Sequence, residues 1–422
     1  MRVAYVSREL TDGARGGTGA EIYSRACAAT EAGHEVHLIS DDPRGTRPLA
    51  PARADHRYLS GAQAHADRVY DTLRSLHADA PLDAIEFVDA EGWTVVRARR
   101  LLGEFAGVRL VAHPGRRPDG DATPDATPDA TLDAAVERHL ADYSRRHAVD
   151  HPPSAPPESG ELVSVVIPLW NQGRYLPAAV DSARLCGYRP LEIVVVDDGS
   201  TEPETVAALD ALAGVTVIRQ AHKGLPAARN AGIAAARGAF VIPLDADDLL
   251  PTGFVERAVA ALGRDPRIGC VAGQVRNFGL LEHVSVPLGY VPDVSLVVNT
   301  FPRATAVFRA GVLAEVGGYD PQLPAYEDWD LYLRLHKAGY AVECAPLVGQ
   351  LYRRHPDSMT FRQTDAARIA LTQRLLRTHA DLLGDGGALP LLLTLVDLWK
   401  SRYEPSASVA WQRQSLALAG VE

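Results

Sequence analysis

The sequence predicts an α/β fold in which parallel strands alternate with helices. Apolar runs rich in Val and Ile occupy residues 163–168, 191–196 and 239–244, which is typical of buried parallel strands. Residues 175–185 and 204–212 have the apolar spacing of helices. Turn-forming Pro, Asp and Gly residues follow the strands, so the chain repeats the order strand, turn and helix.

The first 150 residues begin with the same pattern. Residues 2–6 and 35–39 are predicted strands and residues 20–32 a predicted helix, which together make a βαβ unit. A glycine-rich loop at residues 13–19 precedes the helix and could hold a phosphate at its N-terminus. Its glycines lack the Gly-x-Gly-x-x-Gly spacing of dinucleotide-binding loops, which argues against bound NAD.

The later part of the chain continues the alternation. A strand at residues 215–218 and a helix that begins near Pro226 lead into strand 239–244. Residues 328–335 have helical spacing, and residues 347–353 resemble a strand. Residues 365–418 predict two or three amphipathic helices, which we expect to cover the preceding α/β domain or to form the contact of a homodimer rather than to lie on a membrane.

These elements predict four parts of the chain. A Rossmann-like α/β domain covers residues 1–150, and a Pro-rich linker covers residues 151–161. The main α/β domain follows at residues 162–362, and a helical extension at residues 363–422. A tandem Asp-Ala-Thr-Pro repeat at residues 121–128 is expected to form a flexible surface loop.

A cluster of carboxylates at residues 245–248 follows the strand at 239–244. Three carboxylates in four positions repel one another, and a hard divalent cation such as Mg²⁺ or Mn²⁺ relieves that repulsion. The alternative is a loop that caps the next helix, because Asp is favoured in turns and at helix N-termini.

Two further strands end in polar or aromatic residues, and ligands in such sheets collect at the carboxyl ends of the strands. The ends that we expect to converge carry Pro168 with Trp170, Asp197 with Asp198, and Asp245 with Asp247. A carboxylate can accept a base N–H, an indole offers a flat wall, and a metal bridges a diphosphate. Arg229 can add charge against phosphate or hydrogen bonds to the base. The pattern favours a nucleotide site; core packing of Trp170 and a solvated Arg229 are the alternatives.

Seven motifs in this order resemble the family 2 glycosyltransferases, which have the GT-A fold. They lie at residues 163–168, 196–201, 227–230, 245–248, 317–320, 327–331 and 352–355. The resemblance covers about half of the chain and implies a GT-A nucleotide-diphospho-sugar transferase domain. One departure is Leu169–Trp170, where Thr-Tyr or a similar pair is common, so the nucleotide contact is expected to differ in detail.

The resemblance implies roles for individual residues. Asp198 belongs to the pair that holds the nucleobase, while Asp245 and Asp247 hold the sugar nucleotide and the metal. His355 is implied as a further metal ligand, and imidazole would shift the preference toward Mn²⁺. The alternative for His355 is an ordinary surface or core histidine.

The Glu-Asp motif supplies the proton acceptor in that family, and Asp328 is our choice for it. Asp328 begins the helical spacing of residues 328–335, and in a first helical turn the helix dipole favours the carboxylate. Glu327 is expected to orient an acceptor hydroxyl, and Asp330 to face solvent or support the helix. A plain helix cap is the alternative for Asp328.

The first lobe resembles the N-terminal half of family 4 glycosyltransferases, which are GT-B enzymes. Residues 16–21 and 32–36 carry this resemblance. In that family the lobe mainly faces the acceptor, and the chain has no recognisable GT-B nucleotide lobe after it. Two interpretations remain: a lobe that contributes to acceptor binding or dimerisation, which the short linker favours, or an independent binding module.

Composition excludes several classes of protein. The chain has 422 residues, 46% of them hydrophobic, and can bury more than one core. Its formal charge of −10 argues against non-specific binding of nucleic acid. The four cysteines are far apart and are expected to be buried, reduced thiols of a cytoplasmic protein. No uninterrupted apolar run reaches membrane-spanning length, and the first residues form a predicted strand rather than a signal peptide.

The sequence therefore predicts an inverting, metal-dependent glycosyltransferase of the hexosyltransferase type. It would move a sugar from a nucleoside diphosphate sugar to a hydroxyl-bearing acceptor, with Mn²⁺ or Mg²⁺ as cofactor. The alternative is a non-catalytic protein on the same fold that binds sugar nucleotides or acts as a scaffold. A binding module needs no proton acceptor, so the presence of Asp328 beside the other motifs favours the enzyme.

Overall fold

The computed structural model describes residues 1–8, 18–41, 45–114, 128–148, 160–292, 294–296, 298–359 and 364–383. The chain divides into two compact units, Met1–Ala155 and Pro156–Glu422. The tandem repeat at 121–127 lies outside the described residues, as do most of the predicted glycine-rich loop, the Pro-rich linker and the segment after residue 383.

The first unit contains a parallel sheet with the strand order β2-β1-β4-β5. Its elements are β1 (Arg2–Val6), α1 (Thr18–Glu31), β2 (Glu35–Ile39), a short β3 (His56–Arg57), α2 (Gly61–Asp79), β4 (Ala84–Val88), a 3-10 helix (Asp89–Gly92), α3 (Trp93–Arg97), a π-helix (Ala98–Leu102), β5 (Arg109–His113) and α4 (Pro128–Ala148). The predicted βαβ unit at the start of the chain is therefore confirmed.

Helix α1 packs on this sheet through one face. Ile22 and Ala26, four residues apart, are buried against Val3 and Tyr5 of β1. Cys27 follows Ala26 and is exposed, so the expectation that all four cysteines are buried is wrong at this position. One residue further along a helix lies about 100° around the axis, and this rotation carries Cys27 away from the buried face.

The second unit contains the predicted alternation of strands and helices. Its elements are β6 (Val163–Leu169), α5 (Leu176–Arg184), β7 (Leu191–Asp197), α6 (Pro203–Asp210), β8 (Thr216–Arg219), α7 (Leu225–Ala235), β9 (Phe240–Pro243), α8 (Phe254–Arg264), β10 (Ile268–Gly279), β11 (His283–Ser285), β12 (Val307–Arg309), α9 (Ala310–Glu315), α10 (Glu327–Lys337), β13 (Ala341–Arg354), α11 (Asp365–Thr378) and a 3-10 helix (Ala380–Leu383).

The sheet of this unit brings three strand ends together. Within it the strand order is β11-β10-β12-β9-β6-β7-β8, and β13 pairs with β10. Strands β9, β6, β7 and β8 are parallel, and β12 runs antiparallel to β9 and β10. The end of β6 at Leu169 lies opposite Asp197 of β7, and Val166 lies opposite Pro243 of β9. The predicted convergence of these strand ends is confirmed.

Helix α10 is fixed by its apolar side chains. It begins after Tyr326, which has a left-handed backbone with a φ of 63°. The buried indole of Trp329 donates a hydrogen bond of 2.7 Å to the carbonyl of Ser295, and Leu331 and Leu333 are buried beside it. This packing holds the first turn of the helix, which carries the predicted proton acceptor, in one orientation.

Helix α11 is the described part of the predicted C-terminal helices. Leu375 and Leu376 are buried in the same apolar cluster as Trp329 and Tyr332 of α10. The apolar face of α11 therefore covers the unit that contains the three converging strands. No helix in the described ranges is long and apolar enough to cross a membrane.

Candidate active site

A cavity of about 880 Å³ lies where β6, β7 and β9 end. Six of the residues predicted to bind the donor or the metal line it: Pro168, Trp170, Asp198, Asp245, Asp247 and His355. The other three predicted site residues, Arg229, Glu327 and Asp328, are not among its lining residues. Arg229 forms ion pairs with Asp245 on the cavity wall and with Glu327, and Asp328 follows Glu327 in the chain.

Asp198, at the end of β7, organises the turn that precedes α7. Its buried carboxylate accepts hydrogen bonds from the backbone N–H groups of Lys223, at 2.9 Å, and Gly224, at 2.8 Å. Gly199 has a φ of 77°, and a Cβ there would lie 2.8 Å from the backbone nitrogen of His222. A glycine at 199 is therefore needed for this turn to fold against the end of β7.

Trp170 forms an aromatic wall with a partner that the sequence did not indicate. The indole is 49% exposed, and the His222 ring stacks on it with centroids 4.5 Å apart and an interplanar angle of 25°. The alternative of plain core packing for Trp170 is wrong, because half of its surface faces solvent. His222 carries no sequence signal beyond its place in a polar turn.

Arg229 is buried between the two acidic motifs. Its guanidinium donates to Asp245 at 2.6 Å and to Glu327 at 2.5 Å, and it lies 5.1 Å from the ring centre of Tyr319. Although burial alone would lower the pKa of Arg229, the two carboxylates raise it well above its usual value. The alternative of a solvated Arg229 is wrong. Arg229 connects Asp245 on the cavity wall to the start of α10.

Asp247 and His355 lie in direct contact. Nε2 of His355 is 2.9 Å from Oδ2 of Asp247, and the amide of Gln172 is 3.5 Å from the same oxygen. The buried Nδ1 of His355 has no hydrogen-bond partner. The alternative of an ordinary surface histidine is therefore wrong, because His355 is buried against a carboxylate on the cavity wall.

The side chains of Asp247 and His355 suit a cation site that the protein only partly fills. One carboxylate and one imidazole, from Asp247 and His355, fit two positions around Mn²⁺ and leave the others for phosphate oxygens and water. Nowhere in the described ranges do three or more His, Cys, Asp or Glu side chains form a group that could hold a metal on their own. A cation here would need ligands from the substrate.

Asp248 differs from its two acidic neighbours. It is fully buried and accepts hydrogen bonds from the side-chain amide of Gln350, at 2.6 Å, and from the backbone of Arg353, at 2.8 Å. Burial, together with the nearby charges of Asp247 and Asp245, raises the pKa of Asp248 well above its usual value. Asp248 therefore connects the acidic motif to β13, the strand that ends one residue before His355.

Asp328 lies in the first turn of α10, as predicted. One carboxylate oxygen accepts from the backbone of Trp329 at 2.7 Å, and the residue is half-buried. Burial and the adjacent charge of Glu327 raise the pKa of Asp328 to about 7, although Arg229 opposes this shift. A carboxylate that titrates near neutral pH is suited to accept a proton.

Asp330 supports the helix instead of facing solvent. It is buried and lies 2.9 Å from Nε2 of His379 and 2.8 Å from Nε of Arg334. Although burial would raise its pKa, these two partners lower the pKa of Asp330 below its usual value. The contact with His379 fastens the end of α11 to α10.

Comparison with known proteins identifies the domain that holds this cavity. Residues 164–294 match the family model described as glycosyl transferase family 2. A pre-mycofactocin glycosyltransferase of Mycobacterium tuberculosis is 34% identical over 227 residues, which cover 50% of this chain and 46% of that protein. A chondroitin synthase of Escherichia coli is 30% identical over 189 residues, which cover 42% of this chain and 27% of that protein. The chain thus spans less than half the length of these curated relatives.

Two solved structures are also similar. The structure of TarS 1-349 from S. aureus in complex with UDP-GlcNAc has a TM-score of 0.45 and 15% identity, covering 60% of this chain and 78% of that chain. The mannosyltransferase PcManGT from Pyrobaculum calidifontis, in complex with GDP-Man and Mn²⁺, has a TM-score of 0.42 and 23% identity, covering 68% of this chain and 84% of that chain. Neither likeness is strong enough to assign a ligand to this chain.

The family match is confined to the second unit. It begins in β6 and ends before β12, so it includes the cavity-lining residues of β6, β7 and β9 and their turns but not α10 or His355. The resemblance of the first lobe to family 4 enzymes stays a prediction, because the matched residues lie outside that lobe.

Proposed function

Because the chain contains a family 2 glycosyltransferase domain with the GT-A fold, at residues 164–294, we propose that it transfers a sugar from a nucleoside diphosphate sugar to an acceptor hydroxyl with inversion. The observation that carries the proposal is the connection from the cavity wall to the carboxylate with the raised pKa. Asp245 lines the cavity, Arg229 joins it to Glu327, and Asp328 follows with a pKa of about 7.

The cavity supports the donor half of the reaction. Trp170 offers a flat face for the base, and Asp245 and Asp247 line the same cavity just after the end of β9. A bound Mn²⁺ or Mg²⁺ would supply positive charge against the diphosphate as it leaves the sugar. Asp247 and His355 are the residues that we propose to hold it, and Asp245 to hold the sugar nucleotide.

The start of α10 supports the acceptor half. The acceptor oxygen forms a bond to the anomeric carbon while the bond from that carbon to the diphosphate breaks. The proton of the acceptor hydroxyl passes to Asp328, and the electron pair of the broken bond leaves with the nucleoside diphosphate. A single displacement of this kind inverts the configuration at the anomeric carbon. Glu327 is fixed by Arg229 and would orient the acceptor.

Calorimetry tests the metal and donor assignment. Wild-type protein should bind UDP, GDP or dTDP more tightly with Mn²⁺ than without it, and Asp247→Ala should abolish the dependence on Mn²⁺. Glu204→Ala is a matched control, because it removes an exposed carboxylate from the same cavity lining. Unchanged Mn²⁺-dependent affinity in Asp247→Ala would refute the assignment of Asp247.

We also propose that the first lobe contributes to acceptor binding. Every residue assigned to the donor lies beyond residue 163, so a variant that lacks residues 1–160 should still bind the nucleoside diphosphate if it folds. Transfer to the natural acceptor should weaken. Cooperative thermal melting must first establish that the shortened chain is folded. Full transfer activity would reduce the lobe to an independent binding module.

A further inference from the structure

The carboxylate of Asp198 has its acceptor positions filled. Oδ1 accepts from the amide of Gln220 at 2.7 Å and from the backbone of Lys223 at 2.9 Å. Oδ2 accepts from the backbone of Gly224 at 2.8 Å and lies 2.9 Å from Nδ1 of His222. Three donors thus occupy the carboxylate, and the His222 ring stands at hydrogen-bond distance from Oδ2, so a further N–H group that approaches Oδ2 from the cavity has to displace this ring.

Of the two side chains at this carboxylate, His222 is exposed, whereas Gln220 is half-buried and donates directly to Oδ1. The N–H groups of Lys223 and Gly224 belong to the backbone that leads into α7 and cannot move without unfolding the turn. The side chain of His222 is 52% exposed and needs only a rotation about its side-chain bonds. Its other neighbour, the carbonyl of Asp198 at 3.1 Å, is also an acceptor, so Nδ1 carries the hydrogen.

The same imidazole covers the aromatic wall. Its ring stacks on Trp170 with centroids 4.5 Å apart, close to the separation of two stacked aromatic rings. A flat heteroaromatic ring that donates an N–H to Asp198 while it stacks on Trp170 has the two contacts that a nucleobase would make here. Both contacts come from one exposed side chain of the protein itself.

We propose that His222 occupies the nucleobase position of the donor site and has to rotate away before a nucleoside diphosphate can bind. The inference rests on the proposed function, since it requires a nucleotide donor. His222 thereby sets the affinity for the base portion of the donor and leaves the diphosphate portion unaffected. A ligand whose base makes weak contacts with Asp198 and Trp170 does not displace it, so His222 also determines which nucleotides bind.

The effect of His222 on nucleotide affinity depends on the fraction of molecules in the closed arrangement, in which the His222 ring covers Trp170. One hydrogen bond to the carbonyl of Asp198, a close approach to its carboxylate and one ring stack at an exposed position favour the closed arrangement by roughly tenfold. The apparent dissociation constant of a nucleotide rises by the same factor, because only the open fraction can bind it. Removal of the imidazole should therefore tighten nucleotide binding by about tenfold, whereas the loss of a wall residue would weaken it.

The experiment compares ligands with and without a base. UDP, GDP, dTDP and inorganic pyrophosphate are titrated calorimetrically, with Mn²⁺, into wild type, His222→Ala, His222→Phe and Val217→Ala. Val217 is an exposed residue of β8 and serves as the control. His222→Ala should bind the preferred nucleotide about tenfold more tightly with pyrophosphate affinity unchanged. His222→Phe keeps a ring but cannot donate to Asp198, and should lie between the two.

The outcomes separate this inference from the proposed function. Weaker or unchanged nucleotide binding in His222→Ala would overturn the inference, and so would an equal gain for pyrophosphate. The proposed function fails if neither wild type nor any variant binds a nucleoside diphosphate. Nucleotide binding that first becomes measurable in His222→Ala would support both.

Discussion

Two acidic clusters, residues 245–248 and residues 327–330, look alike in sequence but are used differently. Each has three carboxylates in four positions, and each places one of them against Arg229: Asp245 from the first cluster and Glu327 from the second. One buried guanidinium thus fixes both clusters relative to each other. Each of these two carboxylates thus has the same buried cationic partner.

The last carboxylate of each cluster is buried, but the two have opposite electrostatic surroundings. Asp248 is bound by the neutral amide of Gln350 and a backbone N–H, and its pKa is raised. Asp330 is bound by His379 and Arg334, and its pKa is lowered. The surroundings therefore favour the protonated form of Asp248 and the charged form of Asp330.

The remaining carboxylate of each cluster is available for chemistry. Asp247 lines the cavity beside His355, where its carboxylate is accessible to a cation. Asp328 is half-buried beside the charge of Glu327, which favours the protonated form. The comparison teaches that partners, not the spacing of acidic residues, distinguish the carboxylate that we propose to hold a metal from the one that we propose to accept a proton.

The largest expected effect concerns Asp328. Asp328→Asn keeps the shape of the side chain but removes the basic group, so release of nucleoside diphosphate from the sugar donor should fall by roughly 10²–10⁴. Donor affinity should stay unchanged. Because the folded protein disfavours the charged form of Asp328, the variant should also melt at a higher temperature at pH 7. Near-normal turnover would exclude Asp328 as the proton acceptor.

Replacement of Arg229 tests whether one guanidinium holds both clusters. Arg229→Met leaves Asp245 and Glu327 without their cationic partner, and should lower the free energy of unfolding by about 3–5 kcal/mol. Urea unfolding followed by circular dichroism measures this change. The exposed surface pair of Arg219 and Asp210 provides a control, since Arg219→Met should cost less than about 1 kcal/mol. Equal costs at the two sites would contradict the role given to Arg229.

His379 provides a smaller effect on the second cluster. His379→Ala removes one hydrogen-bonding partner of buried Asp330 and leaves Arg334, so we expect a loss of about 1–3 kcal/mol in the free energy of unfolding. The pKa of Asp330 is lowered in the fold, so its stabilising contribution is present above its unfolded pKa and is lost as the pH falls through the acidic range. His379→Ala should weaken that acid dependence, as unfolding curves at pH 3–7 can establish.

The smallest effect is expected at Asp248. An uncharged Asn resembles the protonated acid, and Oε1 of Gln350 has no hydrogen-bond partner. A flip of that amide would let Asn donate to it, so Asp248→Asn should change the free energy of unfolding by less than about 1 kcal/mol. Asp248→Ala would remove both acceptors and should cost more. A large loss in Asp248→Asn would mean that Asp248 is an anion, and that the contrast with Asp330 is wrong.

Much of the fold was predictable because its signals are local. Strands β6 and β7 are mostly apolar runs, and α7 has a proline in its first turn, so pattern and turn chemistry agreed. Strand β10 was not predicted. It includes Gln274, Arg276 and Asn277, and it becomes a strand through pairing with β13, which a local pattern does not encode.

The site was predictable in its members but not in its connections. The motifs located Asp247 and Asp328, whereas the pairing of Arg229 with Glu327 joins residues 98 positions apart. His222 was missed altogether, because a histidine in a polar turn gives no sign of the ring on which it stacks. Such contacts depend on how distant turns meet, and only the folded chain brings them together.

The pH dependence of turnover tests the division between the two clusters most directly. The rate of nucleoside diphosphate release, measured at low donor concentration from pH 5 to 9, should rise through about pH 7, because Asp328 accepts a proton only in its charged form. The Asp328→Asn variant should show a lower rate without that inflection, at unchanged donor affinity. The same inflection in both proteins would contradict the assignment of Asp328 and, with it, the separate roles of the two clusters.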